Sequence, residues 1–264
     1  MRGVAGMAGP VLLRLLAVDV RGRRRVYSVR VWSGGVYSTI AGPVRGRDIL
    51  EAGPGGVVEG VRGRVYVLPP TWLDLLEGWA ERRTQVVYPK DSAYIGVRLG
   101  LGSGSVVLEA GLGSGFLTSV LLALVCPGGR VIGFEARADH LEAAVRNVGL
   151  TGFRDCLDAR LGDVAEAGLE EESVDAVVLD LPDPWRVLPA VRPWLRPGRP
   201  AAVFLPTSSQ VDRLLAGLGE GWVVESVEEL LRREWEPSPG ALRPSPRMIG
   251  HTGFIVFLRA VRGS

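Results

Sequence analysis

The stretch from about residue 105 to residue 216 alternates short apolar runs with segments of helical periodicity. The apolar runs are SVVLEAG, RVIGFEA, LDARLGD, SVDAVVLDL and PAAVFLP; the segments between and after them include GFLTSVLLALV, ADHLEAAVRNVGL, WRVLPAVRPWL and SSQVDRLLAGL. Strands that are joined through helices lie parallel in one sheet. The sequence therefore predicts an α/β domain with a doubly wound parallel sheet. Two last strands, near WVVESVEELLRREW and TGFIVFLRA, complete it.

The N-terminal part has a different pattern. From Val11 to Val67, β-branched runs such as RRVYSVRVW and GVYSTI are separated by glycine and proline, which predicts a small twisted sheet or barrel. Thr71 followed by Asp74 is a capping box that predicts a helix extending to about Arg83. We expect two domains, an N-terminal β domain (residues 1–70) and a larger α/β domain (residues 71–264).

The two parts also differ in charge. Residues 1–73 contain 11 arginines and 4 acidic residues, whereas residues 74–264 contain 20 basic and 25 acidic residues. Lys90 is the only lysine of the chain. A basic module joined to an acidic one predicts that the first contacts a polyanion and the second carries the chemistry.

Composition excludes several classes of protein. No run of about 18 uncharged apolar residues is present, so we expect a soluble, cytoplasmic protein. Cys126 and Cys156 have no CxxC spacing and no nearby pair of histidines, which argues against a metal site and against a disulfide framework. We expect both cysteines to be small buried hydrophobic residues.

The strongest local motif is VVLEAGLGSGFLT, in which glycines 111, 113 and 115 form a turn between a strand and a helix. Such a turn lets a ligand approach the backbone closely. Phe116 stands where a dinucleotide-binding fingerprint would need glycine. The spacing E-x-G-x-G-x-G is instead typical of class I methyltransferases that use S-adenosylmethionine. A glycine-rich turn without a ligand remains the alternative.

Acidic residues follow the next strands. Glu135 ends RVIGFE, where a carboxylate reaches the ribose hydroxyls of an adenosine, and Asp163 in RLGDV is a candidate for the adenine amino group or else a simple N-cap. His140 is expected on the first turn of the following helix rather than in the chemistry. Asp180 ends the fourth strand, where the transferred methyl group would lie. In the loop LPDPW, Trp185 is either a platform for a planar substrate or a core residue.

Six motifs in one order resemble a known family. They are QVVYPKD, LEAGLGSG, FEARADH, DLPDPW, LPTSSQ and RMIGHTGF, which lie between residues 85 and 254. Together they are similar to the tRNA adenine N1-methyltransferases that act on position 58 of the T-loop, and most of all to the archaeal branch, whose members can also modify position 57. The fold that the resemblance implies is a class I, Rossmann-like methyltransferase sheet with a small N-terminal β domain.

The resemblance also implies roles for particular residues. The cofactor S-adenosylmethionine would contact Gly111, Gly113, Ser114, Gly115, Phe116, Leu117, Glu135, His140, Asp163, Val164 and Asp180. Asp180 and Tyr88 are the implied catalytic residues. Candidates for contact with tRNA are Trp185, Arg247, His251 and the arginines Arg23, Arg24 and Arg25. No metal is implied, and relatives encoded by a single gene are homotetramers.

Two alternatives stay open at this point. One is a class I methyltransferase with another acceptor, such as a different RNA, a protein carboxylate or a small molecule. The other is a noncatalytic tRNA-binding subunit. The second would be expected to have a degraded glycine turn and to lack the aspartate at position 180, and both features are intact in this chain.

Overall fold

The structure is a computed structural model and describes residues 9–237 and 239–262. The described chain divides into two compact units, the first ending at Trp79 and the second beginning at Ala80. This division falls nine residues beyond the predicted boundary at residue 70, because the helix after that boundary belongs to the first unit.

The first unit is built on antiparallel strands. A four-stranded sheet has the order β2-β1-β6-β5, and β3 and β4 form a separate two-stranded ladder. The strands are β1 (Val11–Asp19), β2 (Arg24–Val31), β3 (Val36–Thr39), β4 (Gly42–Arg45), β5 (Val57–Gly60) and β6 (Gly63–Leu68). In β1, the residues Leu13, Leu15 and Ala17 are buried, so alternate side chains face one apolar core. The predicted small sheet is confirmed.

Two helices complete this unit. Helix α1 (Gly46–Ala52), which the sequence analysis did not predict, packs Ile49 into the core of the β domain. Helix α2 (Trp72–Trp79) begins with the predicted capping box, in which the Thr71 backbone N–H donates to Asp74 Oδ2 (2.9 Å) and the Asp74 N–H donates to Thr71 Oγ1 (3.2 Å). The helix ends at Trp79, four residues before the predicted end at Arg83.

The second unit contains a seven-stranded sheet of order β12-β15-β11-β10-β7-β8-β9. Its strands are β7 (Val106–Ala110), β8 (Arg130–Glu135), β9 (Leu157–Leu161), β10 (Ala176–Leu179), β11 (Pro200–Leu205), β12 (Trp222–Glu228) and β15 (Phe254–Ala260). Strands β7 to β11 pair in parallel, and β15 runs antiparallel to both β11 and β12. A short ladder joins β13 (Trp235–Glu236) to β14 (Arg243–Pro244). The predicted doubly wound sheet is therefore present, with one antiparallel strand.

Helices cover both faces of this sheet. They are α3 (Pro89–Arg98), α4 (Phe116–Val125), α5 (Ala138–Thr151), α6 (Leu188–Val191) and α7 (Ser208–Ala216). Successive residues of β7 point to opposite faces, so Leu108 and Val107 belong to two different apolar clusters. The segment predicted as one helix in WRVLPAVRPWL is broken into short turns around α6, since Pro189 and Pro193 cannot donate to a continuous helix. This arrangement brings the carboxyl ends of β7, β8 and β10 to one edge.

The structure contradicts the prediction for the cysteines. Cys126 and Cys156 form a disulfide with a Cα–Cα distance of 6.3 Å, and both are only partly buried. Cys126 follows α4, and Cys156 lies just before β9. Because β8 pairs with β9 and α4 leads into β8, the ends of these two elements meet at the amino edge of the sheet. Sequence spacing alone gives no sign of this proximity.

Residues 9–237 and 239–262 contain neither a membrane span nor a metal cluster. No helix there is long and apolar enough to cross a bilayer. No group of three His, Cys, Asp or Glu side chains in the same residues could hold a metal ion.

Candidate active site

The glycine turn after β7 is packed too closely for side chains. A Cβ atom on Gly111 would lie 2.1 Å from the Asp180 carbonyl oxygen, and one on Gly113 would lie 2.7 Å from Thr84 Oγ1. Both residues also have positive φ angles, 88° and 53°. The turn then leads through Gly115 into α4. Glycine is thus required here by the backbone and by its neighbours.

Residues 81–88, which we call the strap, lie against this turn. The Ser114 hydroxyl accepts hydrogen bonds from the backbone N–H of Arg83 (2.9 Å) and of Thr84 (3.1 Å). Ser114 is buried, so its side chain is engaged with the strap. These bonds explain why α2 does not continue to Arg83.

Asn147 on α5 joins the strap to the turn a second time. Its amide nitrogen donates to the carbonyls of Glu81 (2.8 Å) and Ser114 (2.9 Å), and its oxygen accepts from the Glu81 N–H (2.9 Å). Asn147 is buried on the same helix face as Ala143 and Val148. Asn147 was not predicted as a site residue from the sequence, although a polar side chain on an apolar helix face is a signal that could have identified it.

Glu135 ends β8 beside the turn. Its Oε2 accepts from the Gly113 N–H (2.9 Å) and its Oε1 accepts from the Arg137 N–H (3.1 Å). His140 lies on the first turn of α5, as predicted, with Nδ1 3.8 Å from Glu135 Oε1. A carboxylate has about four lone-pair positions, so the two backbone bonds leave acceptor capacity on Glu135.

Asp180 follows β10 at the same edge. Its N–H donates to the Ala110 carbonyl (3.0 Å), which fixes the residue next to the glycine turn. Burial, and secondarily the charge of Glu135, raises the pKa of Asp180 to about 7.

A cleft of about 380 Å³ joins these groups. The strap, the glycine turn and the ends of three strands all contribute to its wall. The lining residues are Thr84, Gln85, Gly111, Gly113, Glu135, His140, Asp180, Leu181, Pro182, Pro206 and Gln210. Such a volume lies in the range of about 300–1,000 Å³ that is typical of small-molecule sites. A smaller hollow beside it is lined by strap residues 84–87, the turn, Phe116, Leu117 and Asp180.

Glu109 lies beneath the turn and is fully buried. Thr118 Oγ1 donates to its Oε1 (3.0 Å), while Oε2 has no hydrogen-bond partner among the described residues. Burial raises the pKa of Glu109 to about 8, so its carboxyl group is mostly protonated at neutral pH. The glycine motif therefore begins with a neutral acid.

Tyr88 and Asp163 are both N-cap residues. Tyr88 ends the strap and precedes α3, and its carbonyl accepts from the Asp91 and Ser92 N–H groups (2.9 Å each). Asp163 Oδ1 accepts from the Ala165 N–H (2.9 Å), the N-cap arrangement that was its alternative interpretation. Val164 is buried in the apolar cluster beside it. Asp163 and Val164 do not line the cleft described above.

Trp185 packs against the apolar cluster on one side of the sheet. The Arg213 guanidinium lies 4.3 Å from the centre of its ring. The structure thus gives Trp185 a partly core-like environment, and Arg213, which the sequence analysis did not select, covers one face of the indole. Neither residue lines the cleft.

His251 is held from both sides of its ring. Nδ1 lies 2.5 Å from Glu229 Oε1, and Nε2 lies 2.8 Å from the Pro206 carbonyl oxygen. The carbonyl and the carboxylate are both hydrogen-bond acceptors, so this setting favours the protonated form of the ring. The Pro206 carbonyl and then Glu229 raise the pKa of His251 accordingly. Arg247 is exposed.

The three N-terminal arginines lie around the β1–β2 hairpin of the first unit and are exposed. Arg23 bonds Asp19 Oδ2 (2.6 Å), and the Arg25 guanidinium lies 5.4 Å from the centre of the Tyr27 ring. Arg24 begins β2. The hairpin therefore presents three neighbouring cations on the surface of the β unit.

The geometry fits an adenosine-containing cofactor. Glu135 lines the cleft with unused acceptor positions for ribose hydroxyls, and Gly111 and Gly113 of the turn line the same cleft. A seven-stranded sheet with this site at its carboxyl edge defines a class I methyltransferase that uses S-adenosylmethionine.

Comparison with known proteins identifies the family within this class of methyltransferases. Residues 63–239 match the family described as "tRNA methyltransferase complex GCD14 subunit". The chain is 38% identical over 257 residues to the tRNA (adenine(58)-N(1))-methyltransferase TrmI of Thermus thermophilus, covering 97% of this chain and 98% of that protein. It is 34% identical to the tRNA (adenine(57)-N(1)/adenine(58)-N(1))-methyltransferase TrmI of Methanocaldococcus jannaschii, with 92% and 94% covered.

Two solved structures support the same family assignment. The tRNA (m1A58) methyltransferase TrmI of Aquifex aeolicus superposes with a TM-score of 0.83 and 27% identity, over 94% of this chain and 97% of that one. A Thermotoga maritima protein described as a SAM-dependent O-methyltransferase has the same TM-score with 30% identity, over 95% and 94% of the two chains. The chain belongs to the GCD14/TrmI family of tRNA methyltransferases.

Proposed function

We propose that this protein transfers a methyl group from S-adenosylmethionine to N1 of adenine 58 in the T-loop of tRNA. The observation that carries the proposal is the meeting of the glycine turn, Glu135 and Asp180 around one cleft, in a chain 38% identical to a relative named for that reaction. A relative named for positions 57 and 58 makes adenine 57 a second candidate target.

The cofactor would occupy the cleft along the carboxyl edge of the sheet. Its ribose would bond Glu135, with His140 beside it. Its methionine end would lie along the turn and the start of α4, at Gly111, Gly113, Ser114, Gly115, Phe116 and Leu117, and its adenine would lie near Asp163 and Val164. When bound, it supplies a methyl group on a positively charged sulfur. The carboxylate of Glu135 favours this charge electrostatically.

Asp180 would be the main catalytic residue. Adenine N1 has an in-plane lone pair and attacks a sulfonium methyl without a strong base, but the attack makes the ring cationic. A fixed carboxylate at the N1/N6 edge accepts a hydrogen bond from N6–H and stabilises the new charge. Asp180 is held by its own backbone bond to Ala110, so this acceptor needs little reorganisation during the reaction.

The target adenine is stacked inside the tRNA elbow and must swing out to reach the cleft. Tyr88 at the end of the strap is our candidate to receive it. Trp185, Arg247 and His251 would contact the surrounding RNA. Arg23, Arg24 and Arg25 would bind the phosphate backbone, since such contacts supply most nonspecific affinity.

The oligomeric state and the cellular compartment of the protein are part of the proposed function. We expect a homotetramer that binds tRNA in the cytoplasm. Size-exclusion chromatography with light scattering would measure the mass of the assembly.

A methyltransferase with another acceptor is the second candidate, because one structural neighbour is described as an O-methyltransferase. The test is to incubate the purified protein with S-adenosylmethionine and an unmodified tRNA transcript. Nucleoside mass spectrometry would identify 1-methyladenosine, and reverse-transcription stops would map it to position 58, with or without 57. Cofactor binding without any tRNA product would favour the other acceptor. Neither binding nor product would favour a noncatalytic subunit.

A further inference from the structure

The chain contains 31 lysine and arginine residues in total. Lys90 is the only lysine among them, and the others are all arginine. It lies in the first turn of α3, two residues after Tyr88, and its side chain is mostly buried. A single lysine in an arginine-rich chain needs a reason in its own surroundings.

The Lys90 ammonium has three acceptors. Nζ donates to Asp91 Oδ1 (2.7 Å), to Thr252 Oγ1 (2.7 Å) and to the Leu230 carbonyl (2.8 Å). The Thr252 hydroxyl in turn donates to Asp91 Oδ2 (2.8 Å). Asp91 is fully buried. The three side chains form a closed ring of hydrogen bonds, which we call the lysine triad (Lys90, Asp91, Thr252).

This geometry matches an ammonium group and not a guanidinium. An ammonium is a compact charge with three donors that point in tetrahedral directions, whereas a guanidinium is a larger planar fork. Three acceptors around the single Nζ atom match the geometry of an ammonium and not that of a planar guanidinium. The acceptor set therefore accounts for lysine at this position.

The triad joins three separated segments. Lys90 and Asp91 follow the strap, Leu230 follows β12, and Thr252 precedes β15. The strap begins at the contacts with Ser114 and Asn147, and it ends at Tyr88, whose carbonyl bonds the Asp91 N–H. Residues 85–87 of the strap, which line the hollow beside the cleft, thus lie between two anchors.

The same triad lies next to His251. That histidine precedes Thr252 and bonds Glu229, the neighbour of Leu230, as well as the carbonyl of Pro206, which lines the cleft. A change at Lys90 is therefore transmitted to Tyr88 at the end of the strap and to the segments around residues 230 and 251.

We propose that Lys90, through Asp91 and Thr252, is a positioning residue that fixes the end of the strap and the base-receiving Tyr88 relative to Asp180. Lys90 lines neither the cleft nor the hollow beside it. A buried charge is costly to retain for stability alone, because desolvation offsets most of the attraction within an ion pair. The proposal rests on the proposed function, since its principal readout is methyl transfer to tRNA.

The first test is Lys90→Arg, which keeps the charge. We expect kcat for tRNA methylation to fall by about 10- to 100-fold, because small misplacements of reacting groups have effects of this size. The dissociation constant for S-adenosylmethionine, measured by calorimetry, should stay within about twofold, since Glu135 and the glycine turn do not contact Lys90. The matched control is Arg98→Lys at the other end of α3, which should keep wild-type kcat.

A second pair of variants covers the case in which Lys90→Arg does not fold. Thr252→Val removes the hydroxyl at nearly constant volume, and Thr252→Ser restores it. We expect kcat to fall in the first variant and to recover in the second. Wild-type kcat in both Lys90→Arg and Thr252→Val would overturn the proposal, as would an equal loss of cofactor affinity.

Hydrogen exchange gives a readout that needs no tRNA. In Thr252→Val, peptides covering residues 84–92 and 250–257 should lose protection together, while α4 keeps its protection. Unchanged exchange in both segments would overturn the positioning role even if the wild-type protein failed to methylate tRNA. If the wild-type protein does not methylate tRNA, only the proposed function is refuted, because the exchange measurement tests the positioning role separately.

Discussion

Asp180 combines burial with the negative charge of Glu135 nearby, and both raise its pKa. A cation that forms next to Asp180 would reverse that effect, since an opposite charge within a few ångströms favours the ionised carboxylate. The ionised form of Asp180 is thus disfavoured in the free protein. It becomes favoured when the reaction produces a cationic adenine ring beside it. This difference between the two states is what a catalytic electrostatic group requires.

Replacing Asp180 by asparagine should separate catalysis from cofactor binding. Asp180→Asn keeps the shape but removes the charge, so we expect kcat to fall by about 100- to 1,000-fold, the effect typical of a lost preorganised charge contact. Cofactor affinity should change little, because Glu135 and the turn remain. Single-turnover transfer of labelled methyl groups would measure the rate.

The control for this variant is Asp183→Asn in the same loop. Asp183 bonds the exposed side chain of Arg186 (2.9 Å), so its loss should leave the rate near that of wild type. A loss of cofactor binding in Asp180→Asn that matches the loss in rate would identify Asp180 as a cofactor ligand only.

The pH dependence follows from the same residue. The pKa of Asp180 is raised to about 7, so below that pH the residue is mostly neutral and lacks the negative charge that stabilises the cationic ring. We expect kcat/KM to rise with pH through about 7 and then to level off. The inflection should be absent from the residual activity of Asp180→Asn. Activity that fell with rising pH across this range would contradict the role of the carboxylate as an acceptor.

The strap and α5 depend on one another through Asn147. Asn147→Ala leaves the Glu81 N–H and the carbonyls of Glu81 and Ser114 without these partners, so we expect a loss of about 2–3 kcal/mol in the free energy of unfolding. Cofactor affinity should also weaken, because the turn and the strap lose a shared support. Denaturant unfolding and calorimetry would measure the two effects.

Arg146→Ala is the matched control for Asn147→Ala. Arg146 bonds the same strap residue, Glu81, but as an exposed ion pair (2.9 Å), so its removal should destabilise the protein much less than the loss of the buried amide. Similar losses in the two variants would mean that the buried amide adds nothing beyond a surface contact.

The sheet could be predicted from the sequence, whereas the contacts of the strap could not. The parallel strands and the glycine turn follow from local periodicity and spacing, so the fold and the neighbourhood of Gly111, Glu135 and Asp180 could be predicted. Apart from Asp91, which is the next residue after Lys90, the partners of Ser114, Asn147 and Lys90 lie 30 to 162 residues away in the chain. No local pattern reports such contacts. The cysteine pair escaped for the same reason, since its closeness depends on the order of β8 and β9.

The disulfide should stabilise the molecule as a whole. It closes a loop between residues 30 apart in sequence, for which reduced freedom of the unfolded chain gives about 3–4 kcal/mol. Cys126→Ser should lower the melting temperature, and reductant should lower that of wild type by a similar amount without affecting the variant further. Identical melting of oxidised and reduced wild-type protein would show that the bond adds no stability.

The whole molecule joins a basic β unit to an α/β unit whose cleft carries acidic groups at Glu135 and Asp180. In the proposed function, the β unit supplies affinity for a polyanion and the α/β unit supplies the reaction. The class of fold and the cofactor are common to many enzymes, and the choice of adenine 58 is the claim that distinguishes this protein among them.

Methyl transfer to two matched tRNA transcripts tests that claim most directly. One transcript carries adenine at position 58, and the other carries guanine there and is otherwise identical. We predict incorporation of about one labelled methyl group at position 58 of the first transcript and loss of that group from the second. Equal incorporation into both transcripts, at a site other than positions 57 and 58, would contradict the assignment.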